Sequence, residues 1–146
     1  MGFFDTLKVM KDIVKGGIAS YESGEKLDEL IDKSAKNYKK FLSDDEKNLY
    51  KKYLSAKESY EENFSDDENN KLLEKFENCQ VEYLEALQKN SSLPQNFRDE
   101  IKNAVAEFKK ANNMALESLG ETLTKYAEND EEKAAVKKAV EDEKRK

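Results

Sequence analysis

The chain has 146 residues, with 26 Lys and Arg against 32 Asp and Glu, a formal net charge of −6, and no histidine. The missing imidazole excludes Ser-His-Asp and Cys-His nucleophiles, the Glu-x-x-His pairs of di-iron bundles and ordinary zinc sites. The acidic balance argues against sequence-neutral nucleic-acid binding, which needs clustered excess cations.

Charged residues make up 40% of the chain, the hydrophobic set makes up 37%, and mean hydropathy is −0.99. Such a lean apolar content builds a core only if it is concentrated on stripes. One proline and five glycines leave few turns for a β-rich fold, while Ala, Leu, Glu and Lys favour helix. The expectation is an all-α, elongated antiparallel bundle of about five helices plus a marginal C-terminal helix.

Residues 1–17 form the first element. Phe3, Phe4, Leu7, Met10, Ile13 and Val14 recur every three or four residues and share one helix face. Lys8, Lys11, Asp12 and Lys15 lie off it, and Gly16-Gly17 closes the segment. Such a face needs an apolar bed: its own bundle, another protein or a membrane surface. These six residues are the candidate partner- or membrane-binding set. Met1-Gly2 with Thr6 fits a simple N-myristoylation pattern, but the bulky Phe3 beside the acceptor glycine is unsuited to it. Lys11 and Asp12 also interrupt any signal-peptide core. No window approaches the roughly 20 apolar residues of a spanning helix, so a cytoplasmic protein is expected.

Residues 18–24 read as a flexible connector ending at Ser23-Gly24. A helical bundle then occupies 25–128. Its first helix, 25–42, carries Leu27, Leu30, Ile31, Ala35, Tyr38, Phe41 and Leu42 on one stripe. Ser43-Asp44-Asp45-Glu46 is a capping box with acids at the positive helix end, and it starts a helix over 44–63. The same tetrapeptide recurs at 65–68 and starts a helix over 66–89. The apolar positions that follow the two copies do not align, so this is a reused start signal and not a repeat.

The acids of 61–68 offer oxygen ligands that suit hard cations, yet their positions identify them as helix-start and helix-closing residues. Cys79 falls between Phe76 and Tyr83 on an apolar stripe and reads as a small core residue. The tyrosines at 38, 50, 53, 60, 83 and 126 lie mostly on stripes, where a ring is buried and a hydroxyl stays wet.

Ser91-Ser92-Leu93-Pro94 marks the clearest boundary. A helix over 94–127 follows, with Phe97, Ile101, Val105, Phe108, Leu119 and Leu123 on its stripe and Gly120 as either a kink or a tolerated interior glycine. Its excess length should meet the first helix, the tail or a second chain. Residues 129–146 begin on Asn129-Asp130 and end in a solvated charge run, so a fraying helix is expected there.

No cofactor, metal site or catalytic constellation is visible, and a non-enzymatic adaptor or scaffold acting through apolar helix faces is expected. Its partner would be another protein or a second copy, with no direct nucleic acid binding. The alternatives are a peripheral membrane protein with weak contact through residues 3–14, and an acidic inhibitor that occupies a basic nucleic-acid-binding site. Low proline with abundant Lys, Asn and Glu resembles the output of an AT-rich bacterial or phage genome.

Overall fold

The computed structural model describes residues 2–7, 21–66 and 71–144. They are helical nearly throughout, with no strand among them, and the helices pack on one another as a bundle. Residues 3–7 form a short helical segment. It is followed by α1 (Tyr21–Asn37), α2 (Asp44–Asn63), α3 (Lys71–Gln88), α4 (Gln95–Tyr126) and α5 (Asp130–Glu143). Two single 3-10 turns, Lys39–Phe41 and Phe64–Asp66, close α1 and α2.

The boundaries depart from the stripe reading in three places. Helix α1 begins inside the expected connector, at Tyr21, and takes Gly24 into its interior. The Gly24 carbonyl accepts from Gln80 Nε2 at 3.4 Å, so a contact from α3 supports a turn whose composition reads as loop. At the other end α1 does not reach 42. The chain tightens at Tyr38, with Phe41 N–H donating to Tyr38 O and Leu42 N–H to Lys39 O. That tightening turns the chain into the cap at Ser43 while Leu42 stays buried. Third, Pro94 is the cap of α4 rather than its first helical residue. The start signal at 65–68 lies partly outside the described residues, and the described part of α3 begins at Lys71.

Ser43 acts as read. Its hydroxyl accepts from Glu46 N–H at 3.1 Å, and Glu46 Oε1 accepts from Ser43 N–H at 2.9 Å. Glu46 is also buried, because Asn90 Nδ2 donates to both its carboxylate oxygens, at 2.7 and 3.0 Å, and to Phe41 O at 3.0 Å. One carboxylate thus caps α2 and ties the α1–α2 connection to the α3–α4 connection.

The main core joins α1, α2, α3 and the first half of α4. Leu27, Leu30, Ile31, Tyr53, Tyr83, Leu84, Leu87, Phe97, Ile101 and Phe108 are fully buried in it. Aromatic rings run between α2 and α3: Tyr50 on Tyr83 at 5.6 Å, Tyr53 edge-on to Phe76 at 5.8 Å, and Tyr60 edge-on to Phe76 at 5.7 Å. The hydroxyls of Tyr53 and Tyr83 are satisfied. Tyr53 donates to Asp28 Oδ1 at 2.6 Å, where Gln80 Nε2 also donates at 2.8 Å, and Tyr83 pairs with Ser34 Oγ at 2.7 Å. Cys79 is buried here, and burial raises its thiol pKa. Lys26 and Lys33 of α1 both reach Glu100 of α4, at 3.3 and 3.5 Å. Burial would raise the Glu100 pKa, but the two lysines outweigh it and hold the carboxyl below its usual range.

Replacing Glu46 with Ala removes a cap and leaves Asn90 without its carboxylate. We expect a loss of about 2 kcal/mol, within the range for a helix cap plus a charge-assisted bond, read from urea unfolding at unchanged m-value. The buried tyrosines set an alkaline limit. Burial, then the bond to Asp28, raises the Tyr53 pKa, and burial, partly offset by Ser34, pushes Tyr83 up to about 12. An unfolded tyrosine ionises near ~10. Above that pH the unfolded chain releases protons that the folded chain retains, so stability falls as pH rises. Tyrosinate absorbance should therefore show two of the seven tyrosines ionising only together with the loss of helical circular dichroism.

Candidate functional site

Helix α4 is 32 residues long, about 48 Å at 1.5 Å per residue, and outruns the main core. Its apolar stripe continues past Phe108, and the second half needs its own cover. That cover is a second, separate cluster in which Leu7, Leu123 and Val136 are buried and Phe3, Leu119, Ala135, Ala139 and Val140 pack around them. Helix α5 supplies one wall and the segment 3–7 another. The excess length of α4 thus meets both the N-terminal segment and the tail, two of the occupants its stripe demands. The tail is a formed helix with Val136 fully buried, where a fraying one is expected from its small apolar face.

Local chemistry explains why α5 forms and where it docks. Asn129 Oδ1 accepts from Glu132 N–H at 2.9 Å, and Glu132 Oε1 accepts from Glu128 N–H at 2.9 Å. Two backbone donors at the helix start are thereby satisfied. At the far end Lys144 Nζ lies 2.8 Å from Glu117 Oε1 and 3.2 Å from Glu141 Oε1. The bonds to Glu117 and Glu141 raise the Lys144 pKa. Between these ends Gly120 lets the helices approach. A Cβ at that position would stand 2.7 Å from Val140 Cγ2. Helix α4 runs through Gly120 without a break, and the glycine serves close packing against α5.

The six candidate residues divide sharply. Leu7 is buried, Phe3 packs on the second cluster, and Phe4 is 52% exposed, with its ring edge-on to Phe3 at 5.6 Å. Met10, Ile13 and Val14 lie outside the described residues. The polar bonds of the segment stay within it: Gly2 N–H donates to Asp5 Oδ2, and Thr6 Oγ1 and Thr6 N–H both donate to Gly2 O. Of the large apolar side chains most exposed among the described residues, Met114 (58%) and Tyr126 (74%) also stand on this extension. Both fall on or beside the α4 stripe, where spacing alone does not mark a binding residue. An open cleft of about 690 Å³ runs along the α4–α5 seam over Gly120, Val136 and Val140, with Lys125, Lys133 and Lys137 on its rim.

The acids of 61–68 gather no metal-ligating group among the described residues. No described helix is long and apolar enough to cross a membrane. Tyr53, Tyr83 and Cys79, whose pKa values are displaced, all belong to the main core. The chain matches no family model, no curated protein and no solved structure.

Gly120→Ala tests the α4–α5 seam. The added methyl meets a β-branched side chain with little rotamer freedom, and overpacking of this kind costs about 1–3 kcal/mol. Alanine returns at most about 1 kcal/mol in helix propensity. Hydrogen exchange should rise across 130–143 and stay unchanged across α2 and α3, and a second change, Val140→Ala, should restore protection.

Proposed function

We propose that the protein is a non-enzymatic interaction module, an adaptor or scaffold whose working surface is the α4–α5 extension with the N-terminal segment on it. One observation carries this reading: among the described residues the extension buries four large apolar side chains, Leu7, Leu116, Leu123 and Val136, yet it presents Phe4, Met114 and Tyr126 to solvent. A thin core beside large exposed apolar side chains is how a surface completed by another protein is built. Aromatic side chains of this kind tend to dominate binding energy. The main core supports the extension and carries its displaced tyrosines for structural reasons, each with a hydroxyl partner.

A second reading, docking on a membrane surface, is favoured by Phe4 alone. It stands exposed at the N-terminus of a segment whose sequence continues with Lys8, Lys11 and Lys15. No particular contact supports the acidic-inhibitor reading.

The test is a triple variant, Phe4→Ser, Met114→Ser and Tyr126→Ser. These positions lie on the surface, so thermal unfolding should shift little. Capture of partner proteins by the immobilised chain should fall by about tenfold or more, while pelleting with anionic vesicles stays at background for both forms. Equal capture by both forms overturns the module reading. Vesicle pelleting of the native chain that is lost in the variant replaces it with the membrane reading.

A further inference from the structure

We propose that the open side of the α4–α5 pair is a docking groove for an acidic amphipathic helix of a partner protein. The inference rests on the reading of the extension as a protein-binding surface and names the chemistry of the partner. Helices α4 and α5 run antiparallel, since Gly120 meets Val140 and Glu117 meets Lys144. Such a pair has a groove on each side. At about 100° per residue, Leu119 and Leu123 fall to one side of Gly120 along α4, and Glu117, Glu121 and Lys125 to the other. Phe3 and Leu7 pack with Leu119 and Leu123 on the first side. The second side is the cleft of about 690 Å³.

Three features of that cleft select its occupant. Its floor is apolar, with Val136 and Val140 against the bare backbone at Gly120. Its rim is cationic. Lys144 is bonded to both Glu117 and Glu141, which leaves Lys125, Lys133 and Lys137 against Glu121 alone. These three lysines are exposed and form no ion pair among the described residues. The acids that open α5 do not line the cleft, so a chain of net charge −6 holds a local excess of positive charge here. Third, the α4 wall is long. Met114, Glu117, Glu121 and Lys125 follow one another along one helix face, and Met114 is exposed. That line spans about 16 Å, or three helical turns. An open groove of this length leaves a lone acyl chain half wetted. A helix instead buries one stripe and keeps its other faces in water. Acidic flanks on that helix meet the lysine rim, and the unbranched Met114 side chain adapts to whatever its end presents.

The test uses the full chain and a fluorescent peptide of about 15 residues, long enough for helicity in water. It carries leucines at every third or fourth position on one face and glutamates on both flanks. A scramble of the same composition, with the leucines spread around the helix, controls for charge alone. Anisotropy should show the amphipathic peptide binding about tenfold or more tightly than the scramble, and amide shifts in magnetic resonance should cluster in 114–125 and 133–144. Lys125→Glu, Lys133→Glu and Lys137→Glu together should keep the helical circular dichroism, since all three side chains are exposed, and weaken binding about tenfold or more. Glutamine at the same three positions gives the same direction of change if the glutamates loosen α5. Added salt should weaken binding to the native chain. Equal binding of the two peptides, native affinity in the charge-changed chains, or shifts centred elsewhere overturns the inference. So does pelleting with anionic vesicles that the same three changes abolish, which makes the groove a lipid-headgroup site. Charge-changed chains that capture partner proteins as the native chain does, while the Phe4, Met114 and Tyr126 variant loses capture, overturn this inference alone. Equal capture by that variant and the native chain overturns the interaction reading itself.

Discussion

Both hydrophobic clusters hang on α4. With two residues in five charged, the chain has too little apolar material for a thick core, and a narrow core requires one long element to which the others are applied. The stripe on α4 serves α1 and α3 through Phe97, Ile101, Val105 and Phe108, and serves α5 and the N-terminal segment through Leu119 and Leu123. The elongated form follows: each successive turn of α4 buries only what its immediate neighbours bring to it. It also follows that the two halves differ in depth. Among the described residues the first half lies against two helices, α1 and α3, that are themselves backed by the main core, and the second against one helix and a short plug.

Polar pairs at the edge of the main core do what apolar mass cannot. Asp28 accepts from Tyr53 and Gln80, Ser34 pairs with Tyr83, and Glu46 holds Asn90. Each joins residues far apart in sequence, so each specifies a helix register as well as adding stability. The same satisfied hydroxyls let tyrosine stand in for leucine, giving a large buried ring where purely aliphatic residues are scarce. The consequence is a core that depends on Tyr53 and Tyr83 staying neutral.

The helices were legible because apolar spacing near 3.6 is a strong local signal, and Ser43 with Glu46 announced the start of α2 without tertiary help. What escaped was set by distant partners. Nothing local to Ser23-Gly24 says that Gln80 will hold the Gly24 carbonyl, and nothing local to Tyr38 says that Asn90 will hold that of Phe41. Glu46 reads as a cap from its spacing, while its burial depends on a loop 44 residues away. The role of Gly120 depends on Val140, which the α4 stripe cannot contain. The candidate site was half legible. The periodicity placed Phe3 and Leu7 on an apolar face and the structure puts both in the second cluster, but the same periodicity placed Phe4 with them and it stands outside. Five helical residues cannot turn two adjacent rings to the same side, since neighbours along a helix diverge by about 100°.

The unequal depth of the two halves matters for what the extension can do. Local opening costs least where few apolar contacts must be broken, and the second cluster has the fewest. Its seam is fastened at one end by Lys144 between Glu117 and Glu141, with Gly120 close against Val140 within it. Among the described residues the plug meets the cluster through the apolar side chains of Phe3 and Leu7. Salt should therefore weaken the Lys144 end of the seam and leave the seating of Leu7 nearly untouched, since its neighbours among the described residues are apolar.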